Sequence, residues 1–369
     1  MNKRKRIIIV HNWHELGIDT QNHQLAYELS KKNDVWFLSA SRTGAKEIKA
    51  NDHLTVLEWP NKRPTKLKDL WFCWNLFRKI KPDVVMAHFS GIRLSMLGAW
   101  LAGVKYRVAW YHILSQQLKD IKNNKWSESL MIKKFMAGYL FANYVVPFHE
   151  FGKRDAIKFL HKSAKKIFVI PNGFSLTGRE ADKIEPYTAT PVFLFLGRLQ
   201  LYKGGDLIIK CFKKISEKYP EVKLQIVGDG DKEQSWKELI KTLQLENIVE
   251  MPGKTSSYNL VFSYLEKAYA LLVPSRFDNF PTVIIEAFSS GVPVIGSNAG
   301  GIPEMIKQGV DGFICEPDNE QEWIDKIELL IKDVNLRNKM ALQARRSYEE
   351  KFTMEKHVGK VTDFLSSLK

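Results

Sequence analysis

Short apolar runs bounded by turn residues recur along the chain, and longer amphipathic stretches separate them. That alternation predicts an α/β fold. In the first half the runs predict strands at Arg6 to Val10, Val35 to Ser39, Thr55 to Glu58, Asp83 to Ala87, Arg107 to Tyr111 and Tyr144 to Pro147, with one more at Ile167 to Ile170. The second half repeats the pattern with VFLFLG ending at Gly197, KLQIVG ending at Gly228, Ile248 to Met251, ALLVPS ending at Ser275 and PVIGS ending at Ser297. Strands this continuously apolar suit parallel sheets covered by helices on both faces. At 369 residues the chain exceeds one ordinary core. The expectation is two Rossmann-like domains with parallel sheets facing across a cleft, joined through the polar stretch Phe174 to Pro191. Their expected bounds are 1–178 and 179–350, and a terminal helix over 351–369, broken near Phe352 and Thr353, is expected to pack back on the first domain.

Composition changes this picture in two ways. The three cysteines, Cys73, Cys211 and Cys315, lie far apart without metal or redox spacing and read as buried thiols of a reducing compartment. The basic start MNKRKRIIIV mimics a signal peptide, but its apolar run stops at Val10 and reads as a first strand. No run is long enough to span a bilayer, so a cytoplasmic protein is expected. Charge is divided unevenly: residues 1–180 hold 31 Lys and Arg against 14 Asp and Glu, whereas residues 181–369 hold 25 against 27. An excess confined to one half points to a polyanionic surface, either anionic lipid or nucleic acid, with a solvated basic face as the plain alternative.

Ligands of parallel α/β sheets sit beyond the carboxyl ends of the strands, so the loops there carry the candidate chemistry. GRLQLYKGG sets Arg198 and Lys203 after a strand, where a guanidinium fork and an ammonium can hold a diphosphate without metal. Taken alone, two surface cations would look the same. Gly228 and Gly230 in the next loop permit close backbone approach. In DNFPTVIIEAF, Pro281 suits a first helical turn, the amides of Thr282 and Val283 then favour an anion, Asp278 can accept from sugar hydroxyls and Glu286 can chelate a ribose diol. Glu286 lies among apolar residues and needs a partner. A fourth loop, NAGGIPEMI, offers Gly300, Gly301 and Pro303 as a second helix start.

Together GRLQLYKGG, DNFPTVIIEAFSSGVPVIGSNAGGIPEMI, DGFICEPDN and EEKFTME resemble the retaining nucleotide-sugar glycosyltransferases of family 4, with the GT-B fold, over residues 191 to 357. The resemblance implies that Arg198 and Lys203 bind the donor diphosphate and stabilise it as leaving group. Asp278 and Glu286 fall on the family's E-x7-E pattern, with Asp in place of the first Glu, and Asn279, Phe280, Pro281, Thr282 and Val283 between them join Gly228 as donor-binding positions. HELGIDTQNHQLAYELS resembles the family's glycine loop with Gly17 alone kept, and RVAWYH places His112 where the family has a histidine near the reacting carbon. His11 and His14 lack an HExxH pattern, and no metal or other cofactor is expected.

The expected reaction transfers a glycosyl group from a nucleotide diphosphate sugar, of uridine or guanosine, to a hydroxyl of a glycan or lipid-linked acceptor, with retention and with domain closure to exclude water. Segment 118–141 mixes Lys119, Lys122, Lys125, Lys133 and Lys134 with Trp126 and other apolar residues, as an interfacial helix on the inner membrane leaflet would. A core helix with a wet basic face is the alternative. A sugar-nucleotide epimerase of the same fold and a basic nucleic-acid-binding protein are the competing functions; nucleic acid leaves the second-domain loops without a purpose.

Overall fold

The computed structural model describes residues 4–11, 18–39, 47–60, 66–120, 125–175, 186–255 and 257–368. The chain forms two units, Met1–Gly173 with Met354–Lys369, and Phe174–Thr353.

In the first unit, β1 (Arg6–Val10), β2 (Asp34–Ser39), β3 (Glu47–Asn51), β4 (Leu54–Glu58), β5 (Val84–Ala87), β6 (Tyr106–Trp110) and β7 (Tyr144–Val146) make one sheet in the order β3-β4-β2-β1-β5-β6-β7. Neighbours run parallel except β3, which returns antiparallel against β4. A sheet parallel throughout was the expectation. β3 escapes it because EIKAN is polar: an edge strand carries charge on its open side and shows no apolar run. The apolar stretch from Ile167 to Ile170 makes only one isolated bridge, to Val145, though Phe168 and Ile170 still donate to the Val145 and Pro147 carbonyls at 3.0 Å.

The second unit stacks β8 (Val192–Leu196), β9 (Lys223–Val227), β10 (Val249–Gly253), β11 (Ala270–Val273), β12 (Val294–Ser297) and β13 (Gly312–Cys315) in the order β10-β9-β8-β11-β12-β13, all parallel. Its centre is dry: Phe193, Leu224, Ile226, Leu271 and Ile295 are buried completely. The helix Gly205–Lys218 buries Leu207, Ile208, Cys211, Phe212 and Ile215, the spacing of one apolar helical face. Strand order reverses between β8 and β11 here, and between β1 and β5 in the first sheet. At such a reversal the following loops diverge and leave room for a ligand.

The helix Val334–Lys351 stops at Phe352, whose buried ring lies 6.2 Å from Phe280 and 6.5 Å from Phe288. Phe174 donates its amide to the Phe352 carbonyl at 2.8 Å, so the two chain crossings between units start side by side. The final helix, Met354–Ser367, packs on Ile18–Ser30 in the first unit. His357 fastens it there: its Nδ1 donates to the Pro171 carbonyl at 2.7 Å, while burial pushes its pKa down to about 4.

Gly228, after β9, has φ +151° and faces the Gly197 carbonyl so closely that a Cβ would overlap it. This glycine therefore seats one loop on another, which is a packing reason for its lack of a side chain. Gly228→Ala is expected to cost about 2 kcal/mol or more. A urea midpoint equal to that of the parent would contradict this reading.

Candidate functional site

The loop after β8 turns through the short 3-10 segment Leu201–Lys203 into the helix Gly205–Lys218, and the loop after β11 leads through Ser275–Pro281 into the helix Thr282–Ser289. These are the two loops at the strand reversal of the second sheet. Lys203 Nζ meets Asp278 Oδ2 at 2.5 Å, joining one loop to the other, and Ser275 Oγ donates to the same oxygen at 3.3 Å. Arg198 is exposed; its guanidinium reaches Tyr202 Oη at 3.2 Å, and Lys203 Nζ lies 5.4 Å from the Tyr202 ring centre. Tyr202 thus spaces the two cations.

Arg276, absent from the sequence reading, holds the two loops together. It donates to both oxygens of Asp206 at 2.9 and 2.8 Å, to Asp318 at 2.8 and 2.9 Å, and to the Leu201 carbonyl at 2.5 Å. Its own amide donates to the Tyr202 carbonyl at 2.7 Å. Asp206 first, and then Asp318, raise its pKa further above the ordinary arginine value. A planar fork satisfied on both edges fixes loop geometry in a way that an ammonium could not. Its only signal in the sequence is its place directly after ALLVPS.

The helix Thr282–Ser289 begins one residue later than the sequence suggests. Pro281, with ψ 112°, is its cap and does not occupy the first turn. Thr282 and Val283 are partly exposed among buried neighbours, and amides of a first turn have no acceptor within the helix. Asn279 and Phe280 are buried, the latter against Phe352. Phe280 is therefore a packing anchor. Glu286 is buried on the inner face of this helix, where desolvation pushes its pKa up to about 7, opposed by a hydrogen bond from Thr282.

Two expectations at the fourth loop change. Gly300, φ +58°, backs onto the Asp278 carbonyl, which also accepts from the Gly301 amide at 3.1 Å. These glycines brace Asp278 from behind. The helix they open, Ile302–Met305, is a single turn, too short for a macrodipole.

The first unit gathers histidines at its own strand reversal. His11 follows β1, His88 follows β5 and His112 lies two residues past β6. His88 Nδ1 and His112 Nε2 are 3.0 Å apart, so one ring donates to the other and the accepting ring is neutral. Burial, reinforced by the neighbouring histidines, holds both pKa values well below the usual range. Phe89, at φ 48°, stacks on His112 with ring centres 3.7 Å apart. His88 escaped the sequence reading although it directly follows an apolar strand. Among the described residues no group of three or more His, Cys, Asp or Glu side chains could hold a metal ion. Gly17, His14 and Lys122 lie outside the described residues, as do the side chains of Lys119, Lys125, Trp126 and Lys134; Lys133 is exposed.

The raised pKa of Glu286 has a consequence for stability. Between pH 4.5 and about 7 the folded chain keeps a proton that the unfolded chain has lost, so stability falls as pH rises through this window. The loss is on the order of 3 kcal/mol once the carboxylate ionises. In Glu286→Gln that slope should disappear, and the variant should gain on the parent from pH 5 to roughly pH 8. Parallel denaturation curves for the two proteins across this range would refute the buried-acid assignment.

Two family models match in succession: Glycosyltransferase Family 4 over residues 17–177 and Glycosyl transferases group 1 over residues 177–347. An uncharacterized glycosyltransferase of Haemophilus influenzae is 33% identical over 158 residues, 42% of this chain and 44% of that protein. The chain spans 44%, 66% and 43% of the length of the first three relatives it matches. The Escherichia coli UDP-Gal:alpha-D-GlcNAc-diphosphoundecaprenol alpha-1,3-galactosyltransferase is 29% identical over 319 residues, 80% of this chain and 78% of that one. Among solved structures, Anabaena HepE in complex with UDP superimposes with a TM-score of 0.74 at 20% identity, covering 98% of this chain and 100% of the other. With its two halves matched in order and the whole fold shared, this chain belongs to the family 4 glycosyltransferases of the GT-B fold.

Proposed function

We propose that the protein transfers a sugar from a nucleoside diphosphate sugar to a hydroxyl of a glycan or lipid-linked acceptor, with retention and without a metal, in the building of a cell-surface polysaccharide or lipopolysaccharide. The observation that carries this reading is the joining of Lys203, Asp278 and the start of the helix Thr282–Ser289 at the strand reversal of the second sheet. Lys203 and Arg198 supply positive charge for a diphosphate, and the amides of Thr282 and Val283 add donors aimed at the same anion. These fixed charges oppose the negative charge that grows on the phosphate as the glycosyl bond breaks. Glu286, once ionised, accepts from the two ribose hydroxyls, and Asp278 faces the sugar. His112, held neutral, contributes a polar contact near the reacting carbon.

UDP is the favoured nucleotide because Anabaena HepE is described in complex with UDP and the Escherichia coli relative is named for a UDP-galactose donor. The name of that relative also includes a diphosphoundecaprenol acceptor, which supports a lipid-linked acceptor here. Action at the cytoplasmic face of a membrane follows from such an acceptor; among the described residues no helix is long and apolar enough to cross a bilayer. Nucleic acid has no place in this reading.

Ligand binding stabilises the folded state by about 2.7 kcal/mol at a hundredfold excess over Kd, and so raises its melting temperature. UDP and a panel of UDP-sugars should therefore shift the melting transition, and Lys203→Met and Glu286→Ala should each remove most of the shift. If no nucleoside diphosphate or nucleotide sugar moves the transition of the parent protein, the proposal is wrong.

A further inference from the structure

We propose that the first unit docks on an anionic phospholipid bilayer through the outer face of three neighbouring helices, Leu67–Ile80, Ile92–Leu101 and Lys125–Leu140. They lie in the connections from β4 to β5, β5 to β6 and β6 to β7, which all step the same way across the sheet. Right-handed crossovers put all three on one face. The helices pack in sequence, the first on the second and the second on the third. Gly98 allows the closest of these approaches, since even a Cβ there would lie 2.9 Å from that of Cys73. The helices Ile18–Ser30 and Met354–Ser367 pack on each other, and the first of them crosses from β1 to β2 in the opposite direction, so this pair occupies the other face.

The outer side of this layer is unusual for a surface in contact only with water. Leu67 is 83% exposed, Trp71 66%, Leu140 71% and Trp100 51%, and Leu101 is exposed beside Trp100. The Trp100 and Phe141 rings, 5.2 Å apart, connect the end of the second helix to the end of the third. A lone exposed leucine needs no explanation. Two exposed tryptophans among exposed leucines on one helical layer do, because an indole ring gains most at a boundary between water and hydrocarbon.

The charges identify the partner. Lys68, Arg78, Lys79 and Lys133 are exposed on the same helices, and the Arg78 guanidinium lies 5.0 Å from the Trp74 ring centre. Among the described side chains of these helices the single acid is Asp69, which is buried and accepts from the Lys66 amide at 2.9 Å. The face is therefore apolar and cationic with no exposed acid among the described residues. Nucleic acid would use the cations and leave the leucines without a role; an anionic bilayer uses both. The surface is broader than segment 118–141, since it draws on the two preceding helices. The choice of a bilayer as partner agrees with the lipid-linked acceptor proposed above, but the physical case does not depend on transfer activity.

The test uses the full chain and vesicles of phosphatidylcholine, alone or with about 30% phosphatidylglycerol. Sedimentation with the anionic vesicles is expected, weakening as salt rises from about 0.05 M to about 0.5 M. Trp71→Glu combined with Trp100→Glu should lower vesicle affinity roughly tenfold or more. Its UDP-induced melting shift should stay that of the parent, which separates a failure of docking from a failure of the transferase reading. Quenching of wild-type tryptophan fluorescence by brominated phosphatidylglycerol needs no variant and is expected on binding. Equal affinity for neutral vesicles, undiminished binding by the double variant, or bound protein without quenching would each overturn the proposal. So would self-association of the parent that the double variant abolishes, which would make the face a contact between copies of the chain.

Discussion

An ammonium and a carboxylate meet where the strand order of the second sheet reverses, and the arrangement of the candidate site depends on that meeting. Lys203 comes from the loop after β8 and Asp278 from the loop after β11, so their 2.5 Å contact spans the point where the two chains diverge. As an exposed pair it would contribute little. Here both side chains are largely covered; the Ser275 hydroxyl donates to the carboxylate, while Gly300 and Gly301 close on the main-chain carbonyl of Asp278 and hold its backbone. Arg276 performs the same service for the lysine loop through Asp206 and the Leu201 carbonyl. Geometry at the site is thus held by groups that need not touch a ligand at all.

That arrangement also gives a physical meaning to aspartate at position 278. A carboxylate one methylene shorter than glutamate reaches less far from its backbone, and in this chain its reach is already taken up by Lys203. On the proposed reading, the empty protein keeps its diphosphate-binding lysine paired, which prevents the cation from folding onto another carbonyl. An arriving diphosphate then shares Lys203 with Asp278 instead of meeting a bare ammonium. Exchange of one anionic partner for another involves less reorganisation than desolvating a free cation.

Much of this was legible in the sequence, for a simple reason. Parallel strands covered on both faces must be apolar throughout, so VFLFL, KLQIV and ALLV announce themselves, and the loops after them are where a parallel sheet places its chemistry. Glu286 stood out because an acid inside VIIEAF has nowhere wet to go. What escaped was what apolar pattern does not encode. β3 is a polar edge strand, and β13, GFIC, starts on the glycine of an Asp-Gly pair that reads as a turn. Gly228 and Gly300 look like ligand-facing glycines in sequence, and only coordinates reveal a carbonyl behind each. Arg276 and His88 are single polar residues whose partners, Asp206, Asp318 and His112, come from other loops, and no spacing rule links them.

The two units divide their electrostatics accordingly. The second has nearly balanced charge over its sequence, and two of its cations at the site are committed to carboxylates, Lys203 to Asp278 and Arg276 to Asp206 and Asp318, while Arg198 is exposed beside Tyr202. Short, partly buried pairs of this kind are screened little by salt. The first unit carries the excess of positive charge, and on its three-helix layer the exposed cations meet no exposed acid among the described residues. A field of that kind acts over a Debye length and collapses as salt rises. On the two proposals, the chain combines one site whose affinity is set by local geometry with one surface whose affinity is set by ionic strength. Attachment and donor recognition are then separable properties, because the groups that produce them share neither residues nor range.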